Sequence, residues 1–163
     1  MTIRTVSVQR FSVTSHKPFS DVVAAFEAAI SHPDMSELHR QISAADSYAE
    51  VERAVSKATR GAELIEFMRL DLGKILRKKR ATAPHSLRFI VGNPVIMSQM
   101  VERVADAGSY APLTILIDER SDGVHLSYDR MESFLSEYRD REASTVARDL
   151  DAKVEAMLTS VAR

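Results

Sequence analysis

The sequence predicts an α+β fold, a two-layer sandwich in which one mixed sheet of about five strands is covered by helices. Three observations lead there. The stretch Leu87 to Arg130 reads as strand, Gly-Asn-Pro turn, helix, Tyr-Ala-Pro approach and a hairpin closed at Asp122-Gly123. Hairpin-spaced strands therefore stand beside strand–helix–strand crossovers, the two ways of building a sheet. A long amphipathic segment, Glu142 to Val161, then offers one apolar stripe, long enough to cross such a sheet. At 163 residues the chain fits a single domain, residues 1–163.

From the N-terminus, Ile3 to Val13 has strand composition, with Val6 and Val8 on one face and Phe11 and Val13 on the other. That change of face predicts a bulge, or a strand buried on different sides at its two ends. Ser20 is the expected cap of a helix whose Val22, Phe26 and Ile30 recur at i, i+4 and i+8. Residues 32–61 are polar and helical and read as an insertion. Asp34 with Glu37, and Ser47 with Glu50, have capping-box spacing, which predicts short helices over 35–45 and 48–60, the second stopped by Gly61. Ala62 to Leu70 reads as a strand, although its pattern also suits a helix.

Asp71 to Arg80 is a short helix ending in four cations and broken by Ala83-Pro84. Leu87 to Val91 is an apolar run suited to a central strand, passing directly into a helix capped by Asn93 with Pro94 first. Leu113 to Glu119 and Val124 to Asp129 form the hairpin, where Gly123 supplies the positive φ of the turn. In the last helix Val146, Leu150, Val154, Leu158 and Val161 make the stripe. Arg148, Asp149, Asp151, Lys153 and Glu155 are read as its solvent side.

Composition narrows the function classes. Hydrophobic residues at 45% and charged residues at 28% describe a globular chain rather than a disordered one. A net charge of −1 gives no field to gather nucleic acid or an anionic membrane, and neither is an expected partner. With no cysteine there is no thiolate nucleophile, disulfide or Cys-based metal site. No cofactor and no metal are expected. The first thirteen residues lack the apolar core of a signal peptide, and no run approaches the ~18 apolar residues that span a bilayer. A cytoplasmic location is the expectation.

On the strand–helix join at Asn93-Pro94, the Tyr110-Ala111-Pro112 approach, Leu113 to Glu119 and Gly123 to Asp129, the chain resembles the domain of unknown function 302 family. Val8 to Ile30 and Glu63 to Leu76 fit the same pattern. The resemblance implies a two-layer α/β sandwich, often dimeric, with no assigned activity and no known catalytic residues. Against the shorter members, residues 32–61 are a longer connection and the helix after Tyr138 is an extension.

Several groups are candidates for chemistry. Gly92, Asn93 and Pro94 stand where a strand meets a helix N-terminus, where free N–H groups and the helix dipole suit a carboxylate or phosphate; an ordinary cap explains them as well. His32, Asp34, Glu37 and His39 come nearest to a metal cluster, but Asp34 and Glu37 already have a capping role. Glu66, Asp118 and Glu119 lie on or beside strands. Turned inward, one would serve as an acid or base; turned outward, they pair with Arg69, Arg88 or Arg120. Arg77 to Arg80 suits acidic surfaces, yet it also neutralises a helix C-terminus. Met68, Met97, Met100 and Met131 with Phe67, Phe89 and Phe134 line either a ligand cavity or a plain core, and Tyr110 and Tyr128 flank the hairpin with hydroxyls for a pocket mouth.

These readings favour a non-catalytic, dimeric domain that binds or senses a small molecule or anion through Gly92, Asn93, Tyr110, Glu66, Glu119 and Tyr128. One rival is a small enzyme using Glu66 or Glu119 near the Asn93 turn. Another is a structural or partner-binding protein acting through the C-terminal helix, whose stripe is expected to help cover a dimer interface.

Overall fold

The computed structural model describes Met1 and residues 3–163. Its elements run β1 (Arg10–Ser15), α1 (Phe19–Ala29), α2 (Met35–Ala44), α3 (Tyr48–Thr59), β2 (Ile65–Asp71), α4 (Leu72–Lys79) and β3 (Ser86–Gly92). They continue with α5 (Pro94–Arg103), β4 (Leu113–Arg120), β5 (Gly123–Asp129), α6 (Met131–Leu135) and α7 (Arg141–Ala162). This is the expected α+β architecture, with five strands in one open sheet ordered β1-β5-β4-β3-β2.

The sheet differs from the expected mixed one. Among the described residues every strand pair in it is antiparallel, and the one parallel contact is an isolated bridge between Ser31 and Ile65. The reason lies in the connections. The chain after β3 climbs through α5 and returns down the neighbouring position, and α4 likewise joins two adjacent antiparallel strands. A long crossing runs from β1 at one edge, through α1 to α3, to β2 at the other.

Local chemistry sets the element ends. Asn93 Oδ1 accepts from the Val95 and Ile96 N–H groups, with Pro94 in the first helical position. Asp34 caps α2, Ser47 caps α3 and Asp71 caps α4 in the same way. Ser20 does not cap α1. The helix already begins at Phe19, and the Pro18 carbonyl takes the N–H groups of Asp21 and Val22 at 3.0 and 3.2 Å. At the hairpin, Gly123 has φ +140°, and a Cβ there would sit 2.6 Å from the Ser15 carbonyl oxygen of β1. Only glycine lets the β4–β5 turn and the β1 edge come that close.

The strand expected over residues 3–13 begins only at Arg10. Gln9 leaves the sheet to bond α6 instead, donating from its N–H to Ser133 Oγ and accepting from the Arg130 N–H. That departure replaces the expected bulge.

Phe11, Val13, Leu126, Tyr128, Ile115, Ile117, Phe89 and Val91 share one face of the sheet, and the helices rest on it. Phe26 of α1 meets Phe89 with ring centroids 4.8 Å apart. Roughly 33 Å long at 1.5 Å per residue, α7 packs against α1, α5, α6 and β1. Its Leu150, Val154, Leu158 and Val161 are all buried within the chain. Val146 and Met157 are half-buried at its margin, so the apolar stripe of α7 packs on its own chain. The α2–α3 pair has a small core of its own, Leu38, Val55 and Ile65, beside the start of β2.

Candidate functional site

One cluster of ionisable groups lies at the β2 edge. Ordinary alternation places Glu66 and Arg69 on opposite sides of a strand, but β2 bulges between Glu66 and Met68. Glu66 then faces the helix side opposite Val91, and Arg69 follows it opposite Phe89. The Arg69 guanidinium donates to both Glu66 oxygens at 3.2 and 2.9 Å, pairs with Glu27 of α1, and lies 4.7 Å above the Phe89 ring. These pairings hold the Arg69 guanidinium firmly in its charged form.

His32 completes the cluster. Its Nδ1 stands 3.1 Å from Glu66 Oε2 and its Nε2 2.9 Å from the Glu27 carbonyl oxygen. Four side chains from positions 27, 32, 66 and 69 thus meet at one edge, with the Glu66 side chain 14% exposed and that of His32 44% exposed. His32 also lines a surface groove of about 460 Å³ with Ser31, Thr59, Arg60 and Gly61. Arg60 supplies its positive charge and His32 an imidazole, and the carbonyl ends of α1 and α3 border it.

The other expected site residues are scattered. Asn93 is consumed as a cap, and its Nδ2 donates to the Glu63 carbonyl at 3.3 Å. Gly92 is packed rather than open, since a Cβ there would lie 3.0 Å from the Phe67 ring and 3.3 Å from Met97 Sδ. Glu66 lies close to that turn, because its neighbour Ile65 pairs with Gly92. Glu119 does not. It stands six residues along β4 from Leu113, the partner of Val91, which at ~3.3 Å per residue is roughly 20 Å away. There it accepts from the His85 N–H at 3.3 Å.

Tyr110 stacks on Phe134 at 4.7 Å and shares a 2.9 Å hydrogen bond with the Tyr138 hydroxyl. That hydroxyl donates to Asp106 at 2.8 Å, and the bonds to Tyr110 and Asp106 push the Tyr138 phenol up to about 12. Tyr110 lines a groove of about 230 Å³ with Thr114, Asp129 and Phe134. Tyr128 is buried and faces α7, where burial and the nearby carboxylates raise its pKa. Phe89 and Met100 are fully buried core.

No cluster of three or more potential metal ligands occurs among the described residues. His32 turns to Glu66, Asp34 caps α2, and Glu37 accepts from Arg40 and Gln41. Among the described residues no helix is long and apolar enough to cross a membrane.

Asp151 is the residue that the sequence reading misplaced. It is fully buried, not on the solvent side of α7. Its Oδ1 accepts from the Met131 N–H at 2.8 Å and the Tyr128 hydroxyl at 3.1 Å, and its Oδ2 from the Glu132 N–H at 3.0 Å. One carboxylate from α7 thereby caps α6 and ties both to the end of β5. Arg130 closes the cluster, 3.0 Å from Glu155 and 3.8 Å from Asp151.

The family described as Domain of unknown function DUF302 matches residues 39–161. The match runs through α3 and almost to the end of α7, so the C-terminal helix lies inside the family pattern and is not an extension to it. The strand and helix before residue 39 lie outside the matched span. No curated protein matches the chain. Among solved structures the fold resembles an uncharacterized conserved DUF302 protein from Bacillus stearothermophilus, with a TM-score of 0.65 and 11% identity over 94% of this chain and 98% of that one. With three quarters of its length inside the matched span, the chain belongs to the DUF302 family, a domain of unknown function.

Proposed function

We propose that the chain is a binding domain for a small polar molecule carrying an anionic group, taken in the groove beside His32. The observation that supports this reading is the contact of His32 with the Glu66–Arg69–Glu27 cluster, beside a groove that His32 lines together with the cation Arg60. Arg60 suits the anionic group, the His32 ring offers a hydrogen bond, and the carbonyl ends of α1 and α3 suit hydrogen-bond donors elsewhere on the ligand. The groove falls within the range of small-molecule sites, ~300–1,000 Å³.

A thermal-shift panel of small phosphates, carboxylates and amino acids tests it. A ligand at about 100 times its Kd stabilises the folded state by about 2.7 kcal/mol. The shift is expected to vanish in Arg60→Asn, which removes the cation and still tolerates the left-handed backbone at φ +51°. A full panel without any shift would end this reading.

The second reading is an enzyme, favoured by the 3.1 Å contact between His32 Nδ1 and Glu66 Oε2, an imidazole–carboxylate pair at a groove edge. Turnover of any panel compound that survives in Arg60→Asn but is lost in Glu66→Gln would move the assignment there.

A further inference from the structure

We infer that α4 is a docking surface for a bilayer that carries anionic lipid headgroups. A net charge of −1 averages over an uneven chain. None of the 23 acidic residues falls between positions 72 and 101, a stretch that holds Lys74, Arg77, Lys78, Lys79, Arg80 and Arg88. All of these cations except Arg88 stand on α4 or at its C-cap. Among the described residues only Arg77 of the α4 group is paired with a carboxylate, Asp71 at 3.7 Å. Lys74, Lys78, Lys79 and Arg80 are exposed. The negative end of a helix accounts for cations in its last turn, but not for Lys74 in the first, nor for the apolar residue that stands among them.

That residue is Ile75, and the packing of α4 turns it outward. Gly73 and Arg77, one turn apart, face β3. A Cβ on Gly73 would lie 2.6 Å from the Ser86 nitrogen, and Arg77 reaches the His85 ring at 3.3 Å. Ile75 is two residues from each, about 200° round the helix, and points away from the sheet. It is 67% exposed, and the adjoining Leu76 is 48% exposed. Lys78 and Lys79 lie within about 60° of Ile75, one on either side. A lone exposed isoleucine is ordinary. One set among unpaired cations matches a bilayer interface, where the apolar side chain enters the acyl boundary and the lysine stems carry their ammonium groups up to lipid phosphates. Nucleic acid or an acidic peptide would engage the cations and leave Ile75 in water. Charge and apolar exposure together select the anionic bilayer.

Flotation of the full chain with vesicles tests this, using phosphatidylcholine alone and phosphatidylcholine mixed with phosphatidylglycerol. Binding is expected to the mixed vesicles only, and to fall with added salt. At about 5-fold per cation, the double variant K78Q/K79Q is expected to weaken it about 25-fold. Ile75→Gln is expected to weaken it about 5- to 30-fold, in proportion to the exposed share of the side chain. Both changes fall at exposed positions, so melting within ~2 °C of wild type should show that the variants fold. Arg53→Gln, on α3 beside the opposite end of β2, is expected to bind as the wild type does. A wild type that ignores the mixed vesicles at low salt, or floats equally with phosphatidylcholine alone, overturns the inference. So does an Ile75→Gln protein that binds like wild type, or an Arg53→Gln protein that does not bind. Retention of a duplex oligonucleotide that depends on Lys78 and Lys79 but not on Ile75, without flotation, would give the patch to nucleic acid instead.

Discussion

Replacing Asp151 with alanine tests the joint that holds the C-terminal helix to the rest of the fold. The change deletes the acceptor for two backbone N–H groups, those of Met131 and Glu132, and for one side of the Tyr128 hydroxyl. Tyr128 keeps the Asp151 carbonyl at 3.3 Å and Glu155 at 3.4 Å, so the unpaired groups are mainly the two N–H donors of α6. Each buried donor left without a partner costs about 1–3 kcal/mol. Arg130, which retains Glu155 and Glu132, loses its third carboxylate. Together these give a loss of about 3–5 kcal/mol, the size found when one member of a buried ionic cluster is removed. For a chain of this length that lowers the melting temperature by roughly 6–20 °C. Asp149→Ala is the control: Asp149 is exposed on the same helix, and alanine there adds up to about 0.7 kcal/mol of helix propensity. Calorimetric melts of the two variants decide the matter. An Asp151→Ala protein melting within ~2 °C of wild type would refute the role assigned to the carboxylate.

Four further outcomes follow from the same geometry. Burial pushes the Asp151 carboxyl above its ordinary value, against the pull of the Glu132 and Met131 N–H groups. The stabilising contribution of its neutral form is therefore complete below the unfolded value near 4 and declines as pH rises through the raised folded value, so the margin of wild type over Asp151→Asn should narrow with rising pH in urea titrations. Gly123→Val meets both a positive φ and the Ser15 carbonyl, and a loss of about 2–4 kcal/mol in chemical denaturation is expected. Leu158→Ala empties a fully buried site under the sheet and should cost about 2–5 kcal/mol by the same measurement. Asn93→Ala removes a cap worth about 1 kcal/mol, and phosphate should stabilise wild type and variant equally, because the helix N–H groups were never open to an anion.

Features governed by neighbours in the chain were legible in the sequence. Asp34, Ser47 and Asn93 cap helices because the residues they bond lie two or three positions on. The hairpin followed from Gly123, and the length of α7 from its periodic stripe. Strand order was not legible. Nothing local says that β1 and β2 stand at opposite edges, or that α5 returns the chain antiparallel. The Glu66–Arg69 pairing was weighed from composition, but its geometry depends on a bulge that alternation cannot reveal, and His32 reaches it only through the bridge between Ser31 and Ile65. Asp151 did leave a signal. It falls four residues after Ala147 and three before Val154, on the buried side of α7, and its charge alone argued for solvent. A charged residue in phase with an apolar stripe marks a buried polar joint.

Backbone-amide NMR during titration with the most stabilising compound of the panel tests the binding reading most directly. Saturable shifts are expected, confined to the amides of Ser31, His32, Arg60 and Gly61, with Glu66 and Arg69 following, and none of them in Arg60→Asn. Shifts centred instead on Tyr110, Thr114 and Phe134, or shifts that never saturate, would contradict it.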